Sequence, residues 1–240
     1  GYAVLDDAGQ KLLFGWFPDS NTRVLSIFRC GTDGLDCART EVPAFLGTAG
    51  SGPSLAIDHV NSKLLLTACD DQQGVRAARC ALDGSGCVVT TLRAGARVCE
   101  DYSHGLALDE ASQKLLHVTL DDSGSARRIA LTRCSLQATN CSTSFLPTPT
   151  EFFSNASLAF DPASRKLAVS VATNSSEGGP LRVISAEADG SNAIMRELGY
   201  AGYSAIAQYI AGELVVTTSG PFGASPSLFR CDPTAASCTK

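Results

Sequence analysis

Apolar and polar positions along this chain follow one pattern that recurs roughly every 50 residues, a spacing typical of repeat proteins. Each copy opens with a short apolar run, passes through a polar turn and enters a second apolar run. The copies start near Tyr2, Ser54, Gly105, Ser157 and Ser204 and read YAVLDDAGQKLL, SLAIDHVNSKLL, GLALDEASQKLL, SLAFDPASRKLA and SAIAQYIAGELV. Because such a unit cannot bury its apolar face alone, we predict one domain over residues 1–240 in which the units pack together.

The second copy shows how one unit is built. Its pattern predicts strands over residues 55–57, 63–69, 75–80 and 87–92, separated by polar turns such as Asp83-Gly84. We find no convincing helical period in the chain. Four short antiparallel strands, repeated radially, are the blades of a β-propeller. We therefore predict an all-β, disulfide-stapled β-propeller with five blades, and six blades is the alternative.

Eight of the ten cysteines form four Cys-x6-Cys pairs at one position of the unit: Cys30/Cys37, Cys80/Cys87, Cys134/Cys141 and Cys231/Cys238. The fourth unit has Ala186 and Ala193 there, so both partners are missing together. Zinc ligands are usually closer in sequence and often include histidine, and we therefore predict disulfides between directly opposed residues of the third and outer strands. Cys69 and Cys99 would lie on one face of a propeller, and we expect them to pair. Disulfides predict an oxidising compartment.

The copy GLALDEASQKLL, with its polar turn, third strand and LDG-type turn, resembles the YWTD repeat of LDL receptor class B propellers and the related NHL repeats. The resemblance extends over nearly the whole chain. No copy contains YWTD itself, since the matching stretches read LFGW, LLTA, LHVT, AVSV and VVTT, and the paired cysteines are not part of that repeat. The resemblance implies a propeller and an extracellular setting. Propellers of the YWTD family have six blades, whereas this chain has five units.

Composition narrows the class of partner. The formal net charge of −5 argues against nucleic acid, which needs a clustered basic surface. No apolar run is long enough to span a bilayer. The chain starts without Met or a signal-like segment, and we expect a processed or cut end, or a piece of a longer chain. Three sequons in predicted turns or links, at Asn140, Asn155 and Asn174, predict N-glycosylation of a secreted or cell-surface protein.

Charged residues recur with the unit. An aspartate ends the inner strand in four copies (Asp6, Asp58, Asp109 and Asp161), and we interpret it as capping its own turn rather than binding a cation in the channel. An arginine precedes the first cysteine of each pair (Arg29, Arg79, Arg133 and Arg230). A solvated strand face with local carboxylate partners explains these arginines better than a basic ring for anionic sugars. Asp70-Asp71 and Asp121-Asp122 occupy equivalent hairpin turns, where turn chemistry is the simpler account.

Six aromatic residues cluster in the links between units: Phe45, Tyr102, Phe152, Phe153, Tyr200 and Tyr203. Their face is the candidate binding surface, for protein or for stacked sugars, and the alternative is that they plug gaps between blades.

Catalysis has thin support. None of the three histidines, His59, His104 and His117, has an evident nucleophile beside it, and the carboxylates recur for structural reasons. We expect no enzymatic activity, cofactor or metal. The predicted role is a non-catalytic extracellular module that binds other protein chains or copies of itself, as in an assembly or filament. A lectin that binds glycans is the alternative, and a propeller glycoside hydrolase is the third hypothesis.

Overall fold

The computed structural model describes residues 3–17, 24–46, 52–70, 74–95, 103–150, 153, 155–172, 179–201, 204–219 and 225–240. They form five antiparallel sheets, the blades of a β-propeller, each starting with one copy of the repeat. Blade 1 contains β1 (Ala3–Asp6), β2 (Lys11–Trp16), β3 (Val24–Gly31) and β4 (Ala38–Leu46). Blade 2 contains β5 (Ser54–Asp58), β6 (Lys63–Asp70), β7 (Gly74–Ala81) and β8 (Val88–Ala94). The predicted all-β fold and the count of five blades are confirmed.

The remaining blades follow the same order. β9 (Ser103–His104) precedes blade 3, which contains β10 (Leu106–Asp109), β11 (Lys114–Asp121), β12 (Arg128–Ser135) and β13 (Ser142–Leu146). Blade 4 contains β14 (Asn155–Asp161), β15 (Lys166–Ala172), β16 (Gly179–Glu187) and β17 (Ile194–Ala201). Blade 5 contains β18 (Ala205–Ile210), β19 (Glu213–Thr218), β20 (Ser227–Cys231) and β21 (Cys238–Thr239). β9 pairs in parallel with β14, so the start of the third repeat is joined to blade 4. The outer strand of blade 5 has only two residues.

Each blade is apolar on both faces because successive side chains of a strand point to opposite sides, and blades 2, 3 and 4 bury both faces. In β6, Leu64 and Leu66 pack towards blade 1, whereas Leu65 packs towards blade 3. Four apolar clusters of this kind join blades 1 and 2, 2 and 3, 3 and 4, and 4 and 5. Among the described residues, none of the clusters joins blade 5 to blade 1. We call the side of a blade that packs towards the lower-numbered blade its preceding face, and the opposite side its following face.

The four predicted Cys-x6-Cys disulfides are confirmed; they join Cys30 to Cys37, Cys80 to Cys87, Cys134 to Cys141 and Cys231 to Cys238. The loop that they close has one backbone geometry in the first four blades, where the N–H after the first cysteine position donates to a carbonyl four residues on, at 2.7–3.0 Å. Blade 4 makes this bond from Glu187 to Ser191 without cysteines. The turn therefore forms from its own hydrogen bonds, and the disulfide is an added constraint.

In three of the four pairs, at Cys37, Cys87 and Cys141, the second cysteine lies just before the outer strand and not in it. Cys87 was expected to begin the outer strand of blade 2, and Cys37 holds the equivalent position in blade 1, but the outer strands begin one residue later, at Val88 and Ala38. That part of the prediction is wrong for Cys37 and Cys87. The residue before each of them, Asp36 or Gly86, has a left-handed backbone with φ of 51° or 59°, so the extended strand starts only after the cysteine.

The sulfur atoms of these two cysteines also face their own turns. The Sγ of Cys37 lies 3.5 Å from the carbonyl oxygen of Gly34, and the Sγ of Cys87 lies 3.2 Å from that of Gly84. Because both sulfurs are disulfide-bonded, they have no hydrogen to donate, and these approaches are packing contacts rather than hydrogen bonds. Each disulfide therefore joins the third strand to the end of its turn, and only in blade 5 are both cysteines paired strand residues.

Of the fifth predicted disulfide, only Cys69 lies within the described residues. Cys69 is buried and disulfide-bonded. Cys99 lies outside the described residues, so its pairing with Cys69 stays a prediction.

Four disulfides within the blades indicate an oxidising compartment. No helix in the described ranges is both long enough and apolar enough to cross a membrane.

Removing one disulfide should weaken the protein without unfolding it. We expect Cys80→Ala/Cys87→Ala to lower the free energy of unfolding by about 2–3 kcal/mol, since the short closed loop restricts the unfolded chain. The far-ultraviolet spectrum should stay that of the wild type, because blade 4 holds the same turn with alanines. Urea unfolding of oxidised protein measures the difference. A variant that no longer folds would show instead that the disulfide sets the turn.

Candidate functional site

The aromatic face predicted from the links is only partly visible. Tyr102, Phe152 and Tyr203 lie outside the described residues, as do the side chains of Phe45 and Tyr200, whose backbones belong to β4 and β17. Phe153 is 1% exposed and lies in the apolar cluster of blades 3 and 4. Its expected place on a binding surface is wrong, because the ring fills the gap between two blades. The alternative of an inter-blade plug describes Phe153 correctly.

The glycosylation sites differ in accessibility. Asn140 is exposed in the Cys134–Cys141 loop, where its side chain is open to solvent. Asn155 is not in a link as expected but begins β14, pairs with Ala172 and is 5% exposed. That burial leaves no room for a glycan on the folded chain, so the predicted placement of Asn155 is wrong. Asn174 lies outside the described residues.

A cluster of charged residues connects blade 2 to blade 3 at the end of the propeller where the links between blades lie. Asp121 is fully buried and accepts hydrogen bonds from Arg93 of blade 2 and from Arg128 at 3.2 Å. Arg128 also stacks on Phe145, 3.7 Å from the ring centroid. Burial raises the pKa of Asp121, but the bonds from Arg93 and Ser123 outweigh it and hold the pKa below its usual range. The carboxylate therefore stays ionised, which suits an ion pair rather than a proton donor.

The adjacent carboxylate is also occupied. Asp122 accepts two hydrogen bonds from Arg127, at 2.8 and 2.6 Å, and Arg127 donates another to the carbonyl of Phe153. Turn chemistry is thus only part of the account of Asp121-Asp122, because both residues anchor guanidinium groups.

At the opposite end of the propeller, the recurring aspartates cap their turns as predicted. Backbone N–H groups donate to them at 3.0–3.2 Å, from Gly9 to Asp6, Asn61 to Asp58, Ser112 to Asp109 and Ser164 to Asp161. The turns also bind one another. Arg165 of blade 4 reaches Asp109 of blade 3 at 2.7 Å, and the N–H of His59 in blade 2 donates to Glu110 of blade 3 at 2.8 Å. Within the described parts of the chain, no group of three or more metal-ligating side chains is found.

The recurring arginines contact the next blade. Arg133 of blade 3 donates to the carbonyl of Asp189 in the Asp-Gly turn of blade 4, at 3.0 Å. Hydrogen bonds from Ser191 and the charge of Arg133 lower the pKa of Asp189. The pKa of Asp83 in blade 2 is lowered in the same way, by hydrogen bonds from Ser85 and by the charge of Arg29 in blade 1. Local carboxylate partners were expected, but the carboxylates on which these two arginines act, Asp83 and Asp189, both lie in the turn of the neighbouring blade.

Arg79 and Arg230 behave differently from these two. Arg79 lies 3.9 Å from Asp58 of its own blade. Arg230, in the last blade, is mostly exposed and lies 3.8 Å from Glu213 of its own sheet. A basic ring for anionic sugars is therefore not supported by Arg29, Arg79 or Arg133, each of which lies near a partner.

Among the described residues, two blade faces have no neighbouring blade packed against them. The blade 1 end face is its preceding face and carries Leu5, Leu12, Phe14, Trp16 and Phe28; the blade 5 end face is its following face and carries Ile206, Val215, Leu228 and Arg230. Residues at equivalent positions of the repeat show the difference. Leu228 is 46% exposed, whereas Leu131 of blade 3 is 0% exposed. Trp16 is 51% exposed, whereas Val171 of blade 4 is 1% exposed. These end faces are therefore open apolar surfaces.

Glycines of the Asp-Gly turn point to the same conclusion. A Cβ added to Gly84 of blade 2 would lie 3.1 Å from Thr40 of blade 1, and one added to Gly190 of blade 4 would lie 3.0 Å from Leu131 of blade 3. These turns dock closely on the blade before them. Gly34, the equivalent residue of blade 1, has nothing within 4 Å of such an atom. No described residue of the chain therefore occupies the place against which Gly34 would dock.

The end faces were missed in the sequence because every unit has apolar residues on both faces. The signal that could have found them is positional. The outward side of the first unit keeps Phe14, Trp16 and Phe28, where a terminal repeat usually becomes polar.

Three buried polar atoms lie between blades 2 and 3. Thr67 Oγ1, His117 Nδ1 and Thr119 Oγ1 are buried and have no hydrogen-bond partner among the described residues. Thr67 lies on the following face of blade 2, and the other two lie on the preceding face of blade 3. Burial lowers the pKa of His117 from 6.5 to about 3, so the imidazole is neutral at physiological pH.

No protein-family model matches this chain, and no curated protein matches it. Solved structures of other proteins do match. The α-L-arabinanase of Penicillium chrysogenum, complexed with arabinobiose, is 13% identical over 92% of this chain and 78% of its own, with a TM-score of 0.62. An exo-β-1,3-galactanase of Phanerochaete chrysosporium is 10% identical, with a TM-score of 0.60; the match covers 99% of this chain but only 61% of the galactanase.

A third structure is the β-propeller domain of the Trilobed protease from Pyrococcus furiosus, described as having an open velcro topology. It is 11% identical over all of this chain and 71% of its own, with a TM-score of 0.52. At such identities the likeness shows the fold alone. The resemblance to YWTD and NHL repeats stays a prediction, because no family model supports it.

Equivalent leucines should differ in their effect on stability. Leu131→Ala should lower the free energy of unfolding by about 2–5 kcal/mol, because it opens a cavity in a closed interface. Leu228→Ala, at the equivalent but exposed position, should change it by about 0.5 kcal/mol or less. Chemical denaturation of both variants measures the contrast. Equal losses would mean that the blade 5 end face is covered in solution.

Acid should destabilise the protein through His117. His117 binds a proton below about pH 6.5 in the unfolded chain but only below about pH 3 in the folded chain. The stability due to this pKa shift is therefore complete above pH 6.5 and is lost as the pH falls. Between pH 7 and pH 5 the free energy of unfolding should fall by about 2 kcal/mol. His117→Leu, which places the leucine found at position 66, should remove most of this slope. Urea unfolding at both pH values tests it; an unchanged slope would exclude His117 as its source.

Proposed function

We propose that this chain is a secreted or cell-surface glycoprotein module with a non-catalytic, protein-binding role in an extracellular assembly. The disulfides support an oxidising compartment, and the exposed sequon at Asn140 supports glycosylation. The likeness of the repeat to YWTD and NHL propellers, many of them extracellular, belongs to the same proposal. The proposed partners are other protein chains or copies of this one.

The observation that carries the proposal is the pair of open end faces. Contiguous apolar surface is uncommon on soluble monomers and usually marks an interaction site. On blade 1 the rings of Phe14 and Phe28 stack at 4.9 Å beside the half-exposed Leu5 and Trp16. Aromatic rings are enriched where protein surfaces meet, and charged residues are depleted. The apolar residues of the blade 1 end face fit this description, and the charged residues on it, Arg39 and Glu41, lie on the outer strand and form an ion pair with each other at 2.6 Å.

A lectin is the second candidate. A cleft of about 240 Å³ between blades 3 and 4 is lined by Asp109, Ser112, Lys114 and Arg165, whose polar atoms converge. Sugar sites usually add an exposed aromatic ring, and the residues that line this cleft include none. Protein binding at the end faces is therefore the better supported function.

A glycoside hydrolase needs two carboxyl groups, one of them with a raised pKa so that it can donate a proton. The buried carboxylates with shifted pKa values, such as Asp121 and Asp161, are held ionised by hydrogen bonds. This chemistry favours structural roles for them.

Site-specific photo-crosslinking tests the proposal. A benzophenone amino acid would replace Leu5 or Leu228 on the end faces, or Val60, a comparably exposed apolar residue of a turn, as the control. After irradiation in the native extracellular medium, we expect protein adducts from positions 5 and 228 and none from position 60, with the partner identified by mass spectrometry. Adducts at all three positions, or at none, would contradict a specific binding role. Saturable sugar binding without adducts would favour the lectin.

A further inference from the structure

The interfaces of blade 1 with blade 2 and of blade 3 with blade 4 combine three contacts. The following face of one blade packs its apolar side chains on the preceding face of the next. The Asp-Gly turn of the later blade docks on the earlier one, as Gly84 does on Thr40 and Gly190 on Leu131. An arginine of the earlier blade approaches that turn, as Arg133 approaches Asp189 at 3.0 Å. The contacts therefore form one recurring interface. The other two interfaces share the apolar packing, but their later blades have no Asp-Gly turn at this position.

The end faces are the two separated halves of this interface. Blade 5 offers Leu228 at the position of Leu131, and Arg230 at the position of Arg133. Blade 1 offers Trp16 at the position of Val171, and Gly34 at the position of Gly190. Both halves keep the apolar residues of the closed interfaces, although nothing in the described part of the chain covers them.

Direct closure of blade 5 onto blade 1 does not account for these residues. Closure would bury Leu228 and Trp16, yet each remains about half exposed. It would also bring Arg230 to the Asp33-Gly34 turn, whereas Arg230 lies next to Glu213 and Gly34 faces open space. The described residues of the two faces therefore do not complete each other.

We propose that the space between the end faces binds a sixth blade, a four-stranded antiparallel sheet that is apolar on both faces and carries a turn carboxylate for Arg230. This partner deepens the proposed function, on which it rests, because it occupies the same two surfaces. Its required chemistry follows from the recurring interface: aliphatic side chains facing Leu228 on one side and Trp16 on the other, and an arginine to approach Asp33.

A second copy of the chain does not fit this space. Blades follow one another around a common axis, so a second copy that placed its blade 1 next to Leu228 would place its blade 2 where the first copy already has blade 1. A single blade avoids this clash.

Trp16 is the sole tryptophan and lies on the blade 1 end face, so its fluorescence reports directly on occupancy. The test appends a copy of residues 105–150, the third repeat with its own disulfide, after Lys240 through a flexible Gly/Ser linker. The appended copy carries Gln137→Asp, which supplies the turn carboxylate for Arg230 at the position of Asp189. We expect the emission of Trp16 to shift to shorter wavelength, acrylamide quenching to fall severalfold and the midpoint of thermal unfolding to rise. The mass of the particle should remain that of one chain.

The matched control carries Leu116→Asp and Leu131→Asp in the appended copy only, so that the face meant for Trp16 is charged. Trp16 should then stay as accessible as in the 240-residue chain. An intact appended repeat that forms its disulfide but leaves Trp16 accessible would overturn the proposal. So would protection of Trp16 in the unextended chain that grows with concentration as the mass doubles, since the occupant would then be a second copy.

The two proposals fail in different ways. Burial of Trp16 by the appended blade, with no adducts in the photo-crosslinking experiment, would keep the sixth-blade site and remove the extracellular binding role. Adducts from positions 5 and 228, with an appended blade that leaves Trp16 accessible, would keep the binding role and replace the occupant.

Discussion

Packing between neighbouring blades is the interaction on which the rest of this structure depends. Each sheet is apolar on both faces, as β6 shows with Leu64 and Leu66 on one side and Leu65 on the other. A single sheet of this kind would expose one face or the other to water, at roughly 1.5–3 kcal/mol for each large side chain left unburied. Stability therefore comes from the packing of blade on blade. The charged groups described above either support one blade or join two blades.

Charged groups serve this packing by linking blades at their edges. The buried carboxylate of Asp121 would be costly alone, but Arg93 arrives from blade 2 and Arg128 from its own sheet. Asp109 likewise caps its own turn and binds Arg165 of the next blade. A carboxylate that first satisfies backbone donors and then accepts a guanidinium from a neighbour fixes the angle between two sheets. This gives the acidic residues that recur in the unit a structural role.

Much of the fold could be predicted from the sequence because its determinants are local. Strand alternation, the Asp-Gly turns and the paired replacement of cysteines by Ala186 and Ala193 all lie within one repeat. Contacts between repeats could not be predicted in this way. Arg29 acts on Asp83 of the next blade, and Phe153 is buried between blades 3 and 4. Both contacts depend on how two neighbouring sheets pack, and no pattern inside one unit encodes that packing. The end faces escaped for the same reason: Leu228 and Leu131 look alike until their neighbours are known.

The distribution of disulfides follows from the same dependence. In a stack of repeats the stability of a unit is the sum of its own and of its interfaces, so a terminal unit has one interface fewer. Blade 4 has no disulfide, but it is packed on both sides by large clusters that include Leu167 and Leu181, and its inner strand gains β9 as a further partner. Blades 1 and 5 have one packed side each, and both keep the Cys-x6-Cys bond. Blade 4 therefore shows that an enclosed blade can fold without the covalent constraint, although blades 2 and 3 are enclosed as well and keep it. In blades 1 and 5 the disulfide offsets part of the packing that a side without a neighbouring blade does not supply.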